Sequence, residues 1–307
     1  MKTDYDIIII GGGAAGLTAA QYACRANLKA LVIEGKAHGG QAILIDSLEN
    51  YPGYADPVSG YEYAENMRKQ AIAFGAEIVY ENVESLSKTD SVFTIKTADK
   101  TYTSLTVVLA TGAEHRKMGI PGEEEFYGKG VSYCATCDGP FFRNKHIVVV
   151  GGGDAACDEA MFLSRLTETI TMVHRRDELR AQKALAERTM KNPHIKIEWD
   201  TIIEEVKGSS HVTGVVLKNK NTGEVKELAC DAVFFFVGMV PITDLVPDAN
   251  KDSIGYIITN EEMETSIPGL YAAGDVRAKS FRQVITASAD GAIAAHSAAG
   301  YIDKLNG

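Results

Sequence analysis

In "DYDIIIIGGGAAGLTAAQYA", residues 4 to 23, an apolar run gives way to glycines and then to small residues of helical composition. Ile7 to Ile10 are consecutive and β-branched, the pattern of a parallel strand covered on both faces. Gly11, Gly13 and Gly16 follow in GxGxxG spacing. The first glycine makes the tight turn and the second lets backbone approach a pyrophosphate. The third lets helix and strand pack closely, and the helix N-terminus then faces the anion. A second strand, "KALVIE", ends in Glu34, where an acid grips a ribose hydroxyl. The strand before, the helix after and the acid at the end make this fingerprint far more specific than the glycines alone.

The pattern occurs twice. "KHIVVVGGGDAACDEAMFLS", residues 145 to 164, is again strand, glycine turn and helix, with Gly151, Gly153 and Ala156 in GxGxxA spacing. The chain therefore predicts two dinucleotide sites. The strand after the second turn, "TITMVH", ends not in an acid but in His174, followed by Arg175, Arg176 and, one helical turn later, Arg180. An acid there would repel a 2′-phosphate, whereas guanidinium groups pair with it bidentately. The second site reads as one for NADP(H), and the first as one for an unphosphorylated adenosine such as that of FAD.

The fold expected is α/β, with two Rossmann-like dinucleotide-binding domains, the NADPH domain inserted into a split FAD domain. "LTVVLATGAEHR" (105 to 116) and "DAVFFFVGMVPIT" (231 to 243) are alike, each an apolar strand running into a small-residue turn, and the second unit lies between them. "PGLYAAGDV" (268 to 276) and an Ala-rich helical pattern from about 282 to 303 lack a glycine fingerprint of their own and return to complete the first domain. The expected division is 1–113 (FAD, first part), 114–241 (NADPH) and 242–307 (FAD, second part). Segments 77–103 and 195–228 read as short strands forming small covering sheets, with a hairpin turn at "NTGE", 221 to 224. "GEEEF", 122 to 126, reads as a solvated loop.

With 307 residues, 45% of them hydrophobic, the chain can build two cores. A formal net charge of -10 argues against nucleic acid or anionic membranes as main partners. No apolar stretch is long enough to span a bilayer, and Met1 to Ile10 carry no signal pattern. The reading is a cytoplasmic protein, where cysteines are reduced by default. "SYCATCDGPFF", residues 132 to 142, then places Cys134 and Cys137 in a CxxC with Asp138 behind it. Zinc would need two further ligands, and no second CxxC or paired histidines follow. A buried inert pair stays open, although the small, turn-forming neighbours suit an accessible loop or helix start. The redox reading also explains the company the pair keeps: a nicotinamide gives a hydride, a disulfide takes two electrons, and a flavin mediates between them.

Over essentially its whole length the chain resembles the low-molecular-weight, bacterial-type thioredoxin reductases. The resemblance is carried by "GGGAAG", "HGGQ", "ENYPG", "IPGEEEFYGKGVSYCATCDGPFF", "VVVGGGDAA", "HRRDELRA" and "LYAAGDVRAKSFRQVITA". It implies FAD and NADPH as cofactors, thioredoxin as the disulfide substrate, and a homodimer. It implies that Glu34 holds the FAD ribose and that Gly11, Gly13, Ala14, Ala15 and Gly16 hold the pyrophosphate. Gly39, Gly40, Gln41 and Asn50 would line the flavin, with Asp275, Val276, Arg282, Gln283 and Val284 completing its site. Gly151, Gly153, Asp154, Ala155, His174, Arg175, Arg176 and Arg180 would bind NADPH. Cys137 would be the sulfur nearest the flavin, Cys134 the attacker of thioredoxin, and Asp138 the acid–base; a plain turn role in "DG" accounts for Asp138 as well.

The chain departs from the family's usual pattern at Ala155, where a hydroxyl residue is usual, and at Cys157, Asp158 and Ala289. Cys24 and Cys230 read as inert core thiols. Rival readings are a flavin-dependent dithiol oxidase or a ferredoxin- or flavin-fed reductase, which lack the arginines, and a non-catalytic redox-sensing flavoprotein.

Overall fold

A computed structural model describes residues 3–45 and 47–306 of the chain. The chain divides into two compact units, Met1–Glu114 with Val240–Gly307, and His115–Met239.

The first unit opens with β1 (Tyr5–Ile10), α1 (Ala14–Arg25) and β2 (Ala30–Glu34), then α2 (Gly60–Ala73), β3 (Glu77–Tyr80), β4 (Val83–Thr89), β5 (Val92–Thr97), β6 (Thr101–Leu109) and β7 (Ala113–His115). β1 lies between β2 and β6, parallel to both, so Ile7 to Ile9 are wholly buried and the run needs no polar face. The sheet order is β3-β2-β1-β6-β5-β4. Here the sequence reading is corrected: β3 is the outer parallel strand of the main sheet, and β4 and β5 extend that sheet antiparallel through β6. Their alternating polarity comes from the sheet's periphery, where one face is less covered, and not from a separate layer.

The second unit contains β8 (Val131–Ser132), α3 (Ala135–Asp138), β9 (Ile147–Gly151), α4 (Asp154–Leu163), β10 (Ile170–Val173), α5 (Lys183–Lys191), β11 (Ile195–Glu198), β12 (Thr201–Gly208), β13 (Val212–Asn219), β14 (Val225–Ala229) and β15 (Ala232–Phe236), and β16 (Met239–Pro241) carries the chain back into the first unit. Its parallel sheet runs β11-β10-β9-β15-β8. The β11 strand belongs to this sheet; only β12-β13-β14 form a separate antiparallel layer, with the expected turn between β13 and β14. That layer covers one face of the sheet, packing Val206, Val215 and Leu217 on Val148, Val150 and Phe235. α4 covers the other with Cys157, Ala160 and Leu163.

"GEEEF" is not a solvated loop. Glu123 and Phe126 are buried, and the Glu123 carboxylate accepts from the amides of Met118 (2.8 Å) and Gly119 (2.6 Å) and from Tyr133 Oη (2.7 Å). Three donors converging on one carboxylate compensate its desolvation, and a run of three glutamates gives no sign of which one turns inward.

The chain returns to the first unit with β17 (Leu270–Ala272) and α6 (Val284–Asn306). β17 pairs parallel with the carboxyl half of β6, and β5 pairs with its amino half, so both share one edge of that strand. α6 is Ala-rich because it packs tightly on α1: a methyl on Gly291 would overlap the Ala15 carbonyl oxygen. Among the described residues no helix is long and apolar enough to cross a membrane.

Candidate active site

In the first unit the predicted residues gather at the carboxyl ends of β1, β2, β6 and β17, the end where open α/β sheets bind ligands. Gly11 has φ +108°, and a methyl on Gly16 would overlap the Gly11 carbonyl oxygen, so the protein's own packing requires both glycines. Gly13 is different. A Cβ there would meet no atom nearer than 3.8 Å, so its backbone borders open space at the start of α1. The first turn of α1, which holds Ala14 and Ala15, has no side-chain cap, leaving its amide donors for an anion. Glu34 is built into the same turn, accepting from Gly12 N at 2.6 Å and Lys36 N at 2.8 Å. Gly39 N donates to Gly12 O at 2.7 Å, Gly39 bridges to Gly13, and Gly40 packs against Gly13. Gln41 Nε2 donates to Ala113 O at 3.2 Å, and Asn50 Nδ2 to Gln283 Oε1 at 3.1 Å.

Asp275 and Val276 sit in a short 3₁₀ turn after β17; Gly274, which starts it, lies against Ala15 at the head of α1. Val276 is fully buried, and Val284 packs beside Ala42 and Tyr63. Arg282 Nε is buried without a hydrogen-bond partner among the described residues, and Asp275 Oδ1, also buried, is met by Lys279 Nζ at 3.5 Å. The Arg282 guanidinium lies over the Tyr256 ring, 3.8 Å from its centroid. Burial raises the Asp275 carboxyl above its ordinary range, opposed by the Lys279 and Arg282 charges. An uncapped helix start, a glycine with room in front of it, and a buried guanidinium nitrogen without a partner fit a flavin dinucleotide.

A buried ionic cluster behind this turn was not anticipated from sequence. Asp290 takes Arg277 Nη1 at 2.9 Å, Lys279 Nζ at 3.0 Å and Gly274 N at 3.0 Å. Its one sequence signal is an acid standing in an otherwise Ala-rich stretch of α6. Asp290→Ala leaves the largely buried Arg277 without its counter-ion and Lys279 with Asp275 alone, at 3.5 Å. Denaturant unfolding is expected to show a loss of about 3 kcal/mol or more.

In the second unit a Cβ on Gly153 would meet nothing within 4 Å, and α4 also starts without a side-chain cap. The segment after β10 folds back over this turn: Arg180 N donates to Gly152 O at 2.6 Å, and Asp154 accepts from Gln182 N at 2.7 Å. His174 is buried with its ring against Gly152, while Arg175, Arg176, Arg180 and Ala155 are exposed. Burial, reinforced by the Arg180 and Arg176 charges, holds His174 below its ordinary range, so it is neutral near pH 7. None of the three guanidinium groups has an ion-pair partner among the described residues. Unpaired cations beside an uncapped helix start fit a phosphorylated nucleotide.

β8 delivers the cysteine pair. Cys134 and Cys137 form a disulfide with Cα atoms 5.4 Å apart. Cys134 is half-buried at the N-cap of α3, and its Sγ accepts from Cys137 N at 3.2 Å; Cys137 is exposed. Asp138 lies at the end of the same turn and accepts a 2.6 Å hydrogen bond from Ser132 Oγ through Oδ2. The other cysteines lie apart. Burial pushes the Cys157 thiol up to about 11 and Cys230 to about 12, so neither forms thiolate near neutrality; Cys24, only half-buried rather than in the core, is also raised. Ser132 is the residue sequence reasoning missed here.

The family model described as pyridine nucleotide-disulphide oxidoreductase matches residues 5–291. A thioredoxin reductase of Treponema pallidum (strain Nichols) is 72% identical over 305 residues, covering 99% of each chain. One from Listeria monocytogenes is 45% identical, covering 98% of this chain and 95% of its own. The crystal structure of Lactococcus lactis thioredoxin reductase matches with a TM-score of 0.96 at 44% identity, covering 98% of this chain and 100% of that one. Two glycine-turn nucleotide folds, a CxxC disulfide on the second of them, and this end-to-end similarity lead to one conclusion: the chain belongs to the pyridine nucleotide-disulphide oxidoreductase family and, within it, to the low-molecular-weight, bacterial-type thioredoxin reductases.

Proposed function

We propose that the chain is an FAD-containing, NADPH-dependent thioredoxin-disulfide reductase: NADPH, a proton and oxidised thioredoxin give NADP⁺ and reduced thioredoxin. The observation that carries this reading is the Cys134–Cys137 disulfide, followed at once by Asp138, on the same unit as the arginine-flanked glycine turn. The flavin, when bound, supplies the conversion of a hydride into two electrons for sulfur. The chain's own residues do the rest. Gly13, Ala14, Ala15 and Glu34 would hold the dinucleotide's pyrophosphate and ribose, and Asp275 and Arg282, whose Nε is buried without a partner, would meet its polar groups. Arg175, Arg176 and Arg180 would select the 2′-phosphate.

In the dithiol state Cys134 would attack the substrate disulfide as a thiolate. The Cys137 amide directed at its sulfur favours that charged form. Asp138 would take the thiol proton and return it to the departing sulfur of thioredoxin. Cys137 would then attack Cys134 of the mixed disulfide, releasing the second thioredoxin sulfur and restoring the pair. A homodimeric, cytoplasmic enzyme is part of this reading, supported by the family resemblance; light scattering of the purified protein tests the first.

The direct test is NADPH oxidation by the purified holoenzyme with and without a bacterial thioredoxin. Oxidation that depends on thioredoxin and yields its thiols is expected. Oxidation at the same rate with oxygen alone, or none with NADPH but turnover with reduced ferredoxin, would overturn the assignment in favour of an oxidase or a ferredoxin-fed reductase.

A further inference from the structure

We propose that Ser132 is the positioning residue for the acid–base group of the CxxC turn. The inference rests on the reading of Asp138 given above.

Ser132 closes β8, where its backbone is fixed opposite Phe234 of β15, and only 2% of the residue is exposed. Its Oγ lies 2.6 Å from Asp138 Oδ2, receives Cys134 N–H at 3.0 Å, and stands 3.3 Å from Cys134 O. A hydroxyl has one proton to give. The short, charge-assisted contact to the carboxylate takes it in preference to the longer contact with the carbonyl. One oxygen atom thus ties the amide of the first redox cysteine to the carboxylate that follows the second. Asp138 is held by Oδ2, with Oδ1 outside this bond to carry the proton.

The tether has a chemical consequence. Ser132 holds Asp138 beside the pair, so that when Cys134 Sγ bonds to a substrate sulfur and the substrate S–S bond breaks, the proton passes from Asp138 to the departing thiolate, and no other reactant is needed. Lys129, Lys145, His211 and Asp231 line the same cavity of about 410 Å³ as Ser132 and Asp138, with Lys145 paired to Asp231 at 3.5 Å. All of these remain in a Ser132 variant, so a change there isolates the hydroxyl.

The experiment measures kcat and KM for thioredoxin in turnover by the holoenzyme, for wild type, Ser132→Ala, Ser132→Gly, Ser132→Thr, Asp138→Asn and the Ser132→Ala, Asp138→Asn pair. Asp138→Asn should lower kcat with little change in KM. Ser132→Ala and Ser132→Gly should each lower kcat about tenfold, the equivalent of about 1.4 kcal/mol, with KM again nearly unchanged. Ser132→Thr, which keeps the hydroxyl, should restore it, and Ser132→Ala should add nothing in the Asp138→Asn background. If Asp138→Asn lowers kcat but the Ala and Gly variants do not, the Ser132 inference fails while the Asp138 reading stands. If Asp138→Asn leaves kcat intact, the Asp138 reading fails and the inference falls with it. A loss as large with or without the carboxylate would assign the effect to something other than this hydrogen bond.

Discussion

The Cys134→Ser, Cys137→Ser double variant is expected to lose thioredoxin reduction by about 10⁴-fold or more while still accepting electrons from NADPH. The hydroxyls that replace the sulfurs cannot cycle between thiol and disulfide. In an anaerobic titration followed by flavin absorbance, the variant should take up fewer NADPH equivalents than wild type, short by the share of one disulfide. The single variants separate the two sulfurs. Cys137→Ser retains the half-buried Cys134 Sγ with its amide donor, so it should attack thioredoxin and stall as a mixed disulfide visible on a non-reducing gel. Cys134→Ser should trap far less. Equal electron uptake by double variant and wild type would place the pair outside the electron path. Trapping by Cys134→Ser alone would reverse the two roles.

The second large effect is expected at the arginines. Arg175→Ala with Arg176→Ala should raise KM for NADPH by about 100-fold, with kcat nearly unchanged and the weaker use of NADH altered little. Each charge-assisted hydrogen bond contributes about 1.5–3 kcal/mol, discounted here because these side chains are exposed. Two of them come to about 2.7 kcal/mol, the equivalent of that ratio. The effect should shrink at high salt, because the groups are open to screening. Parallel losses with NADPH and NADH would mean that the cluster supports the fold and does not read the phosphate.

Both predictions concern residues legible in the sequence, for a physical reason. A glycine turn between strand and helix is a local object. Tight-turn φ, close helix–strand packing and an uncapped helix start each demand particular residues at fixed spacing, and the side chain ending the next strand is carried to the same point by strand length alone. Gly11 and Gly16 meet the packing demands of such a turn, and Glu34 and His174 each lie against the glycine turn of their own unit. The CxxC is local in the same sense, since two sulfurs three residues apart at a helix start come within bonding distance without help from the rest of the chain.

What lay beyond the sequence depends on groups that only folding brings together. Glu123 in a run of three acids is indistinguishable from its neighbours until Met118, Gly119 and Tyr133 converge on it. Asp290 becomes a buried counter-ion only because the return of β17 brings Arg277 and Lys279 against α6. Segments 77–80 and 195–198 carry too little apolar signal to tell an outer strand of the main sheet from a covering layer, and only their pairing decides it. The sequence by itself determined two glycine-turn nucleotide folds and the CxxC pair, because short-range spacing encodes them. Tertiary structure alone decided which acids are buried, how the return segment closes the first sheet, and that Ser132 holds Asp138, because each needs groups brought together by packing.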